Sequence, residues 1–309
     1  MSISGWGVVY HSPVPIPSLN AIVLAARPKT LPAAVVPVWV GCVLAWRLTG
    51  AVDSTLALCT LGGAVAIQLA TNFFNDVIDA HKGADTARRL GPTRVTAAGL
   101  MAPGVVLACA VGLLGVAVGC GVVLYQARGW PIIAIGIPSL FLAYGYTGGP
   151  FPLAYRGLGE LFVILFFGLV AVAGTVFIQT GGWPLAGVLL GWQVGLLSAV
   201  LISINNLRDH EEDATTGKRT LAVRWGPQAA VAVIGWELGL AALASLGWPG
   251  CGLPWLAVAG LPIAGLGLRI FHGVRHQPPG PAFNRLLAMG GVLLLLFAVV
   301  FQFGALMGR

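Results

Sequence analysis

Nine apolar runs, separated by short polar connections, dominate this chain of 309 residues. A helix needs about 20 mostly apolar residues to cross the hydrocarbon core of a bilayer. The runs are continuous rather than alternating, which favours helices, since lipid cannot satisfy the backbone groups of an open strand. The pattern predicts an all-α integral membrane protein with nine transmembrane helices, at about 31–46, 55–74, 105–125, 131–147, 158–180, 184–207, 229–248, 254–271 and 286–306.

Composition supports a membrane protein. Hydrophobic residues make up 57% of the chain and charged residues only 9%, against about 25% charged residues in a typical soluble domain. The mean hydropathy is +0.89. Five cysteines are scattered singly, so we expect them to pack rather than to form disulfides or bind metal. We expect a cleaved signal peptide to be absent, because no basic residue and short apolar core open the chain.

Local composition also predicts the domain organisation. Residues 1–20 are rich in Pro and Ser and are predicted to be a flexible N-terminal segment, followed by a single transmembrane domain over residues 21–309. Glycines in "GLLGVAVGCGVV" (Gly112 to Val123) and "LPIAGLGL" (Leu261 to Leu268) are expected to let helix backbones approach closely.

The basic residues predict an orientation. If the N-terminus is cytoplasmic and the connections alternate sides, three basic residues lie outside, namely Arg47, Arg128 and Arg309, and the other fourteen lie inside. The positive-inside rule therefore favours a multi-pass protein of the cell inner membrane with a cytoplasmic N-terminus. The net charge of +7 then belongs to one membrane face and does not predict nucleic-acid binding.

The stretch "NFFNDVIDAHKGAD" places acids at the cytoplasmic end of the second apolar run. Asn72, Asn75, Asp76 and Asp79 follow i, i+3, i+4 and i+7 spacing, which lines one face of a helix, and Asp85 follows. Like charges crowded on one face repel unless a cation lies between them. A hard divalent ion would supply that cation.

A similar cluster follows the sixth apolar run, in "SINNLRDHEEDATTGKRT". Amides come first, and Asp209 and Asp213 follow at i and i+4. Both clusters end even-numbered helices, so both reach the same membrane face. Two facing carboxylate clusters with nearby cations suit a diphosphate bridged by Mg²⁺. The cations available to neutralise its oxygens are Lys82, Arg94, Arg208, Lys218 and Arg219.

These blocks resemble a known family. "NDVIDAHKGAD" and "NNLRDHEEDATTGKRT" are similar to the two aspartate-rich motifs of the UbiA-type intramembrane prenyltransferases, and the likeness covers nearly the whole chain. "KGADTARRLGPTRVTAAGL" and "GYTGGPFPLAYRGLGE" are most similar to the menaquinone-branch members. The resemblance implies Mg²⁺-dependent transfer of a prenyl group from a polyprenyl diphosphate to 1,4-dihydroxy-2-naphthoate within the lipid bilayer, coupled to decarboxylation.

The resemblance also implies site residues. Metal would be bound by Asp76, Asp79, Asp85, Asp209 and Asp213, and all of these except Asp85 would be catalytic. The diphosphate would contact Asn72, Asn75, Lys82, Arg94, Asn206, Arg208 and Lys218. The acceptor ring would contact Tyr146, Tyr155, Arg156 and Glu160. Hydroxybenzoate-type members carry a third acid at position 83, where this chain has Gly83, and a Tyr and a Lys where it has Phe151 and Tyr155. The second of these departures, at Phe151 and Tyr155, argues against a benzoate acceptor.

Other functions stay open at this point. Another quinone-precursor ring, such as homogentisate, or a naphthoquinone receiving a phytyl chain are alternative acceptors. An ion-coupled transporter would place its charged residues near the middle of the membrane, whereas these acids follow roughly a full apolar span. A CDP-alcohol phosphatidyltransferase would carry a DGxxAR signature, which the sequence lacks.

Overall fold

The computed structural model describes residues 18–83, 90–91 and 93–308, and within these ranges it contains helices and no strands. The predicted metal ligand Asp85 and nearly all of the predicted N-terminal segment lie outside the described residues. The all-α prediction is confirmed. The helices are α1 (Leu19–Ala26), α2 (Pro32–Thr49), α3 (Ser54–His81), α4 (Pro103–Arg128), α5 (Trp130–Gly145), α6 (Gly159–Thr180), α7 (Leu185–Arg208), α8 (His210–Thr215), α9 (Leu221–Gly247), α10 (Pro254–His276) and α11 (Phe283–Met307).

Eight of the helices in the described ranges are long and apolar enough to cross a membrane. They are α2, α3, α4, α6, α7, α9, α10 and α11. The remaining predicted span, 131–147, is the fourth along the chain and corresponds to α5, which has only 16 residues. Gly129 joins α4 to α5 with φ 70°, and Thr147, just beyond the other end of α5, donates to Asn75 of α3. The two ends of α5 therefore meet opposite ends of the α3–α4 pair.

Two hydrophobic cores flank a central cavity. The larger core takes buried side chains from α2, α6, α7, α9, α10 and α11. The second joins α1, α3, α4 and α5 through residues such as Phe73, Phe74 and Val106. The candidate site lies where the helices of the two cores face each other.

Glycines set the tightest helix contact, between α6 and α7. A Cβ built on Gly168 would lie 2.7 Å from Cα of Gly195, and one on Gly195 would lie 2.6 Å from the carbonyl oxygen of Ile164. Residues Ile164–Ala173 of α6 are π-helical. This backbone contact fixes α7, which carries the second acidic cluster at its end.

The glycine prediction was wrong for α4. Among the described residues, no heavy atom outside the helix's own turns lies within 4 Å of a Cβ built on Gly112, Gly115, Gly119 or Gly121. In α10, Gly267 meets only side chains. Composition shows that a helix is rich in glycine, but it does not show which face meets another backbone.

The first and last spanning helices close the bundle. The indole nitrogen of Trp39 on α2 donates to Oε1 of Gln302 on α11 at 2.7 Å. Arg47, also on α2, donates to the carbonyl oxygen of Gly308, directly after α11. The cavity is therefore enclosed by helices from both ends of the chain.

Replacing Gly195 by Val should destabilise the protein, because the added methyl groups would overlap the α6 backbone. We expect a loss of about 1–3 kcal/mol or more in the free energy of unfolding, measured as a lower thermal midpoint in detergent. Gly119→Val is the matched control, because Gly119 is exposed and has open space around its Cα. Equal midpoints for the two variants would contradict the proposed backbone contact.

Candidate active site

The end of α3 brings three polar side chains of the first cluster to the cavity wall. Asn72, Asn75 and Asp79 line the cavity. Asn72 donates to the carbonyl oxygen of Ala26 at 2.9 Å and to Oγ1 of Thr30 at 3.1 Å. The helical spacing therefore does present the amides and one acid on a common face.

Asp79 connects three separate segments. Its Oδ2 accepts a hydrogen bond from Nη2 of Arg94 at 2.8 Å, and both side chains are almost fully buried. Its Oδ1 accepts from the hydroxyl of Tyr155 at 2.9 Å. Removing one partner of a buried ion pair typically costs about 3–5 kcal/mol. Asp79 thus holds the Arg94 segment and the Tyr155 turn against α3.

The second cluster follows α7. Asp209 accepts two hydrogen bonds from its neighbour Arg208, at 2.7 and 2.6 Å. Arg208 also donates to the side chains of Asn205 and Asn284. Asp209 and Asp213 both line the cavity.

Lys218 lies between the two clusters. Its Nζ is 3.9 Å from Oδ2 of Asp79 and 3.9 Å from Oδ1 of Asp213. Gly217, with φ 75°, forms the turn that returns Lys218 toward the acids, and the Lys218 backbone N–H donates to the Asp213 carbonyl oxygen. Asp79 and Asp213 therefore face each other across one ammonium group.

Asp76 has a different environment from Asp79. Only 1% of its surface is exposed. Its oxygens accept hydrogen bonds from the backbone N–H groups of Val95, at 3.1 Å, and Thr96, at 2.8 Å. It does not line the cavity. In this arrangement Asp76 anchors the segment that carries Arg94, and its role as a metal ligand stays a prediction.

The cavity itself is about 1090 Å³ in volume. Its polar end is formed by the two clusters, and aliphatic and aromatic side chains form most of the remaining wall. Sites of this kind bury most of a ligand and fix it with few polar groups. The shape fits an elongated amphiphile with an anionic head.

A family model described as "UbiA prenyltransferase family" matches residues 34–297. The chain belongs to this family. The predicted family is therefore confirmed, and the chain is a multi-pass membrane protein. The family's name does not specify the acceptor.

Curated relatives of this UbiA-family chain include several enzymes with one name and others with different names. The 1,4-dihydroxy-2-naphthoate octaprenyltransferase of Mycobacterium tuberculosis is 37% identical, over 90% of this chain and 94% of the relative. The enzyme of the same name from Bacillus subtilis is 36% identical, over 77% of this chain and 76% of the relative. A 2-carboxy-1,4-naphthoquinone phytyltransferase from Synechocystis is 29% identical, over 70% of this chain and 69% of the relative.

A solved structure shares the fold. The UbiA homolog from Archaeoglobus fulgidus bound to GPP and Mg²⁺ has a TM-score of 0.67 and 14% identity, with coverage of 93% of this chain and 99% of that chain. At this identity the likeness supports the arrangement of helices and no residue role.

Of the four predicted acceptor residues in this UbiA-family chain, one lines the cavity and three do not. Tyr146 lines the cavity. Burial raises the pKa of Tyr146, with a further contribution from the nearby negative charges of Glu160, Asp79 and Asp213, so its hydroxyl stays protonated. Glu160 is buried behind the cavity wall and accepts a hydrogen bond from Asn206 at 2.9 Å.

Tyr155 and Arg156 lie outside the cavity wall. Arg156 is exposed and stacks on the ring of Phe151, with 3.7 Å from Cζ to the ring centroid. Tyr155 instead presents its ring to Lys82, whose Nζ lies 4.1 Å from the centroid. The acceptor contacts of both residues stay predictions.

Lys82 points toward the turn after α5, where its Nζ donates to the carbonyl oxygen of Thr147 at 2.7 Å. Burial lowers the pKa of Lys82, and the charge on Lys218 adds to the effect, while Asp79 opposes it. Lys82 does not line the cavity. A diphosphate contact by Lys82 therefore stays a prediction.

The oxygens on either side of Lys218 suit a hard cation, because they belong to the carboxylates of Asp79 and Asp213. Within residues 18–83, 90–91 and 93–308, no three His, Cys, Asp or Glu residues are close enough to form a metal site by themselves. Such a site would need oxygen ligands from a diphosphate, which is how Mg²⁺ is commonly bound with one or two carboxylates.

Several residues that line the cavity were not predicted from the sequence. Glu212 lines the cavity beside Asp209 and Asp213, and the i, i+3, i+4 rule applied to the first cluster would have found it. Phe162, Phe166 and Phe167 also line the cavity. The last two lie in the π-helical stretch, where a period of 3.6 residues does not identify the inward face.

Replacing Asp76 by Ala should release the segment around Val95 and Thr96, because both of their N–H groups would lose an acceptor. We expect faster hydrogen exchange at these amides and a loss of about 1–3 kcal/mol in stability, measured by mass spectrometry and thermal unfolding. Asp76→Asn keeps one acceptor oxygen and should have a smaller effect. Unchanged exchange in Asp76→Ala would contradict this anchoring role.

Proposed function

We propose that this chain transfers a polyprenyl group from a polyprenyl diphosphate to 1,4-dihydroxy-2-naphthoate. The observation that carries the proposal is the meeting of Asp79 and Asp213 across Lys218, at the polar end of a largely apolar cavity. The names of the curated relatives support this donor class and this acceptor. An ion-coupled transporter is disfavoured, because the acids of the two clusters lie at the ends of spanning helices rather than midway along them.

The donor's diphosphate would occupy the space between the clusters. Asp79, Asp209, Asp213 and the neighbouring Glu212 are the acids in the cavity wall that would hold Mg²⁺ together with it. When bound, Mg²⁺ would supply Lewis-acid stabilisation of the leaving diphosphate. Lys218 and Arg94, which already lie beside Asp79, would neutralise further diphosphate oxygens.

The cavity wall would protect the reacting carbon. Loss of diphosphate leaves positive charge on the allylic carbon, which water would quench, and the apolar wall excludes water. The rings of Phe162, Phe166 and Phe167 line this wall. An aromatic face can stabilise a cation by about 0.5–2 kcal/mol.

The acceptor ring would lie near Tyr146, between the diphosphate and the aromatic wall. Because its pKa is raised, the Tyr146 hydroxyl would act as a neutral hydrogen-bond donor to an acceptor oxygen. Asn206, held by Glu160, would orient a second polar contact. Ring attack on the allylic carbon forms the new carbon–carbon bond, and loss of CO₂ from the same ring position would restore aromaticity.

The decisive assay uses membranes containing the full chain, 1,4-dihydroxy-2-naphthoate, a prenyl diphosphate and Mg²⁺. We expect a decarboxylated, prenylated naphthalenediol or its quinone, and loss of product with chelator. Asp213→Asn should lower turnover about 10²-fold or more while the protein still unfolds cooperatively. Glu211→Gln is the matched control, because Glu211 is an exposed acid of the same helix outside the cavity wall. Product formation without divalent metal would overturn the proposal.

We also propose that the polar end of the cavity faces the cytoplasm at the inner membrane, as the basic residues indicate. With nine crossings, a reporter fused after Gly308 should lie outside, whereas one inserted after Gly217 should lie inside. Alkaline phosphatase should therefore be active only at the first position, and a green fluorescent protein should fluoresce only at the second. The reverse pattern would contradict this orientation.

A further inference from the structure

The cavity extends far beyond the acidic clusters. Asp79 and Thr60 both line it from α3, and their separation along one continuous helix corresponds to roughly 28 Å. That distance approaches the thickness of the bilayer's hydrocarbon core, about 30 Å. The cavity therefore runs from one membrane face nearly to the other.

A cluster of packed side chains closes the far end. Leu124 of α4, Ile132 of α5 and Ile178 of α6 line the cavity there and are buried, and we call these three the floor cluster. They belong to one hydrophobic cluster with Leu56 and Phe177.

Hydrogen bonds fix the chain behind the floor cluster. Arg128 donates to the carbonyl oxygen of Ile178 at 2.6 Å and to that of Gln179 at 3.1 Å. The Gln179 side chain in turn accepts from the Asp53 backbone N–H and donates to the Asp53 carbonyl oxygen. These contacts tie the ends of α4 and α6 to the start of α3, so the floor cluster is a supported wall.

We propose that the floor cluster limits the length of the prenyl tail that this chain accepts. The inference rests on the proposed function, which anchors the diphosphate at the acidic end. With the head fixed there, a tail running along the cavity meets the floor cluster, and the distance between them sets the length accommodated.

Two glycines lie one helical turn from the floor cluster, on the side toward the acidic end of the cavity. Gly121 precedes Leu124 by three residues, and Gly136 follows Ile132 by four, so each shares a face with its floor residue. Both line the cavity. Among the described residues, no heavy atom beyond the local helix lies within 4 Å of a Cβ built on either. A large side chain there would enter the cavity and raise its floor by about one turn, ~5 Å.

The same helices offer matched controls. Gly119 of α4 and Ala134 of α5 are exposed and do not line the cavity. Phenylalanine at either control position adds the same bulk to the same helix without shortening the cavity.

The test measures the Kd of geranyl, geranylgeranyl and octaprenyl diphosphates for the purified full chain in nanodiscs, with Mg²⁺ and without acceptor. In Gly121→Phe and Gly136→Phe, the ratio of the octaprenyl Kd to the geranyl Kd should rise about tenfold or more. Gly119→Phe and Ala134→Phe should leave the ratio unchanged. Gly121→Val and Gly136→Val should raise it less, and they carry the test if a phenylalanine variant fails to fold.

An unchanged ratio in the folded Gly121 and Gly136 variants would overturn the inference, because it would mean that the tail leaves the cavity sideways into lipid. Product formation from 1,4-dihydroxy-2-naphthoate is measured separately. A protein that shows the length-dependent binding but forms no product would disprove the proposed acceptor chemistry and support the floor cluster. A protein that forms product with an unchanged ratio would support the proposed acceptor chemistry and disprove the role of the floor cluster.

Discussion

The structure depends on surrounding its buried carboxylates with cations and hydrogen-bond donors. An ionised carboxylate in a buried site is costly unless cations or hydrogen-bond donors surround it. Asp79 is 2% exposed and has Arg94, Tyr155 and Lys218 around it. Because these partners come from three connections, satisfying one charge also folds the polar end of the bundle. The same surroundings would suit a diphosphate, since its oxygens, like those of a carboxylate, require positive charge and directed donors.

The rest of the bundle holds that point in place. The glycine contact between α6 and α7 sets the position of the second acidic cluster, and the turn at Gly217 returns Lys218 to it. The two hydrophobic cores are separate, and a third cluster, which contains Leu124 and Ile132, lies at the far end of the cavity. A polar site and an apolar channel are thus consequences of one packing arrangement.

Much of this could be predicted from sequence, because hydrophobicity and helical spacing are local properties. The spanning helices, the all-α class and the family were found in this way, and the cavity contains Asn75, Asp79 and Asp213 from the predicted sets. Features that depend on partners distant in the chain were not predicted. Nothing local shows that the Asp76 carboxylate would meet the backbone of Val95, or that Gly195 rather than Gly115 would meet another helix.

The closure between α2 and α11 bears on how the protein is made. Leu287, Ala288 and Gly291 of α11 form part of the cavity wall, and α11 is fixed to the first spanning helix through Trp39 and Gln302. During synthesis α2 is made before α11, so this wall stays incomplete until α11 has been added. A growing chain that lacks α11 would therefore hold both acidic motifs without a finished binding chamber.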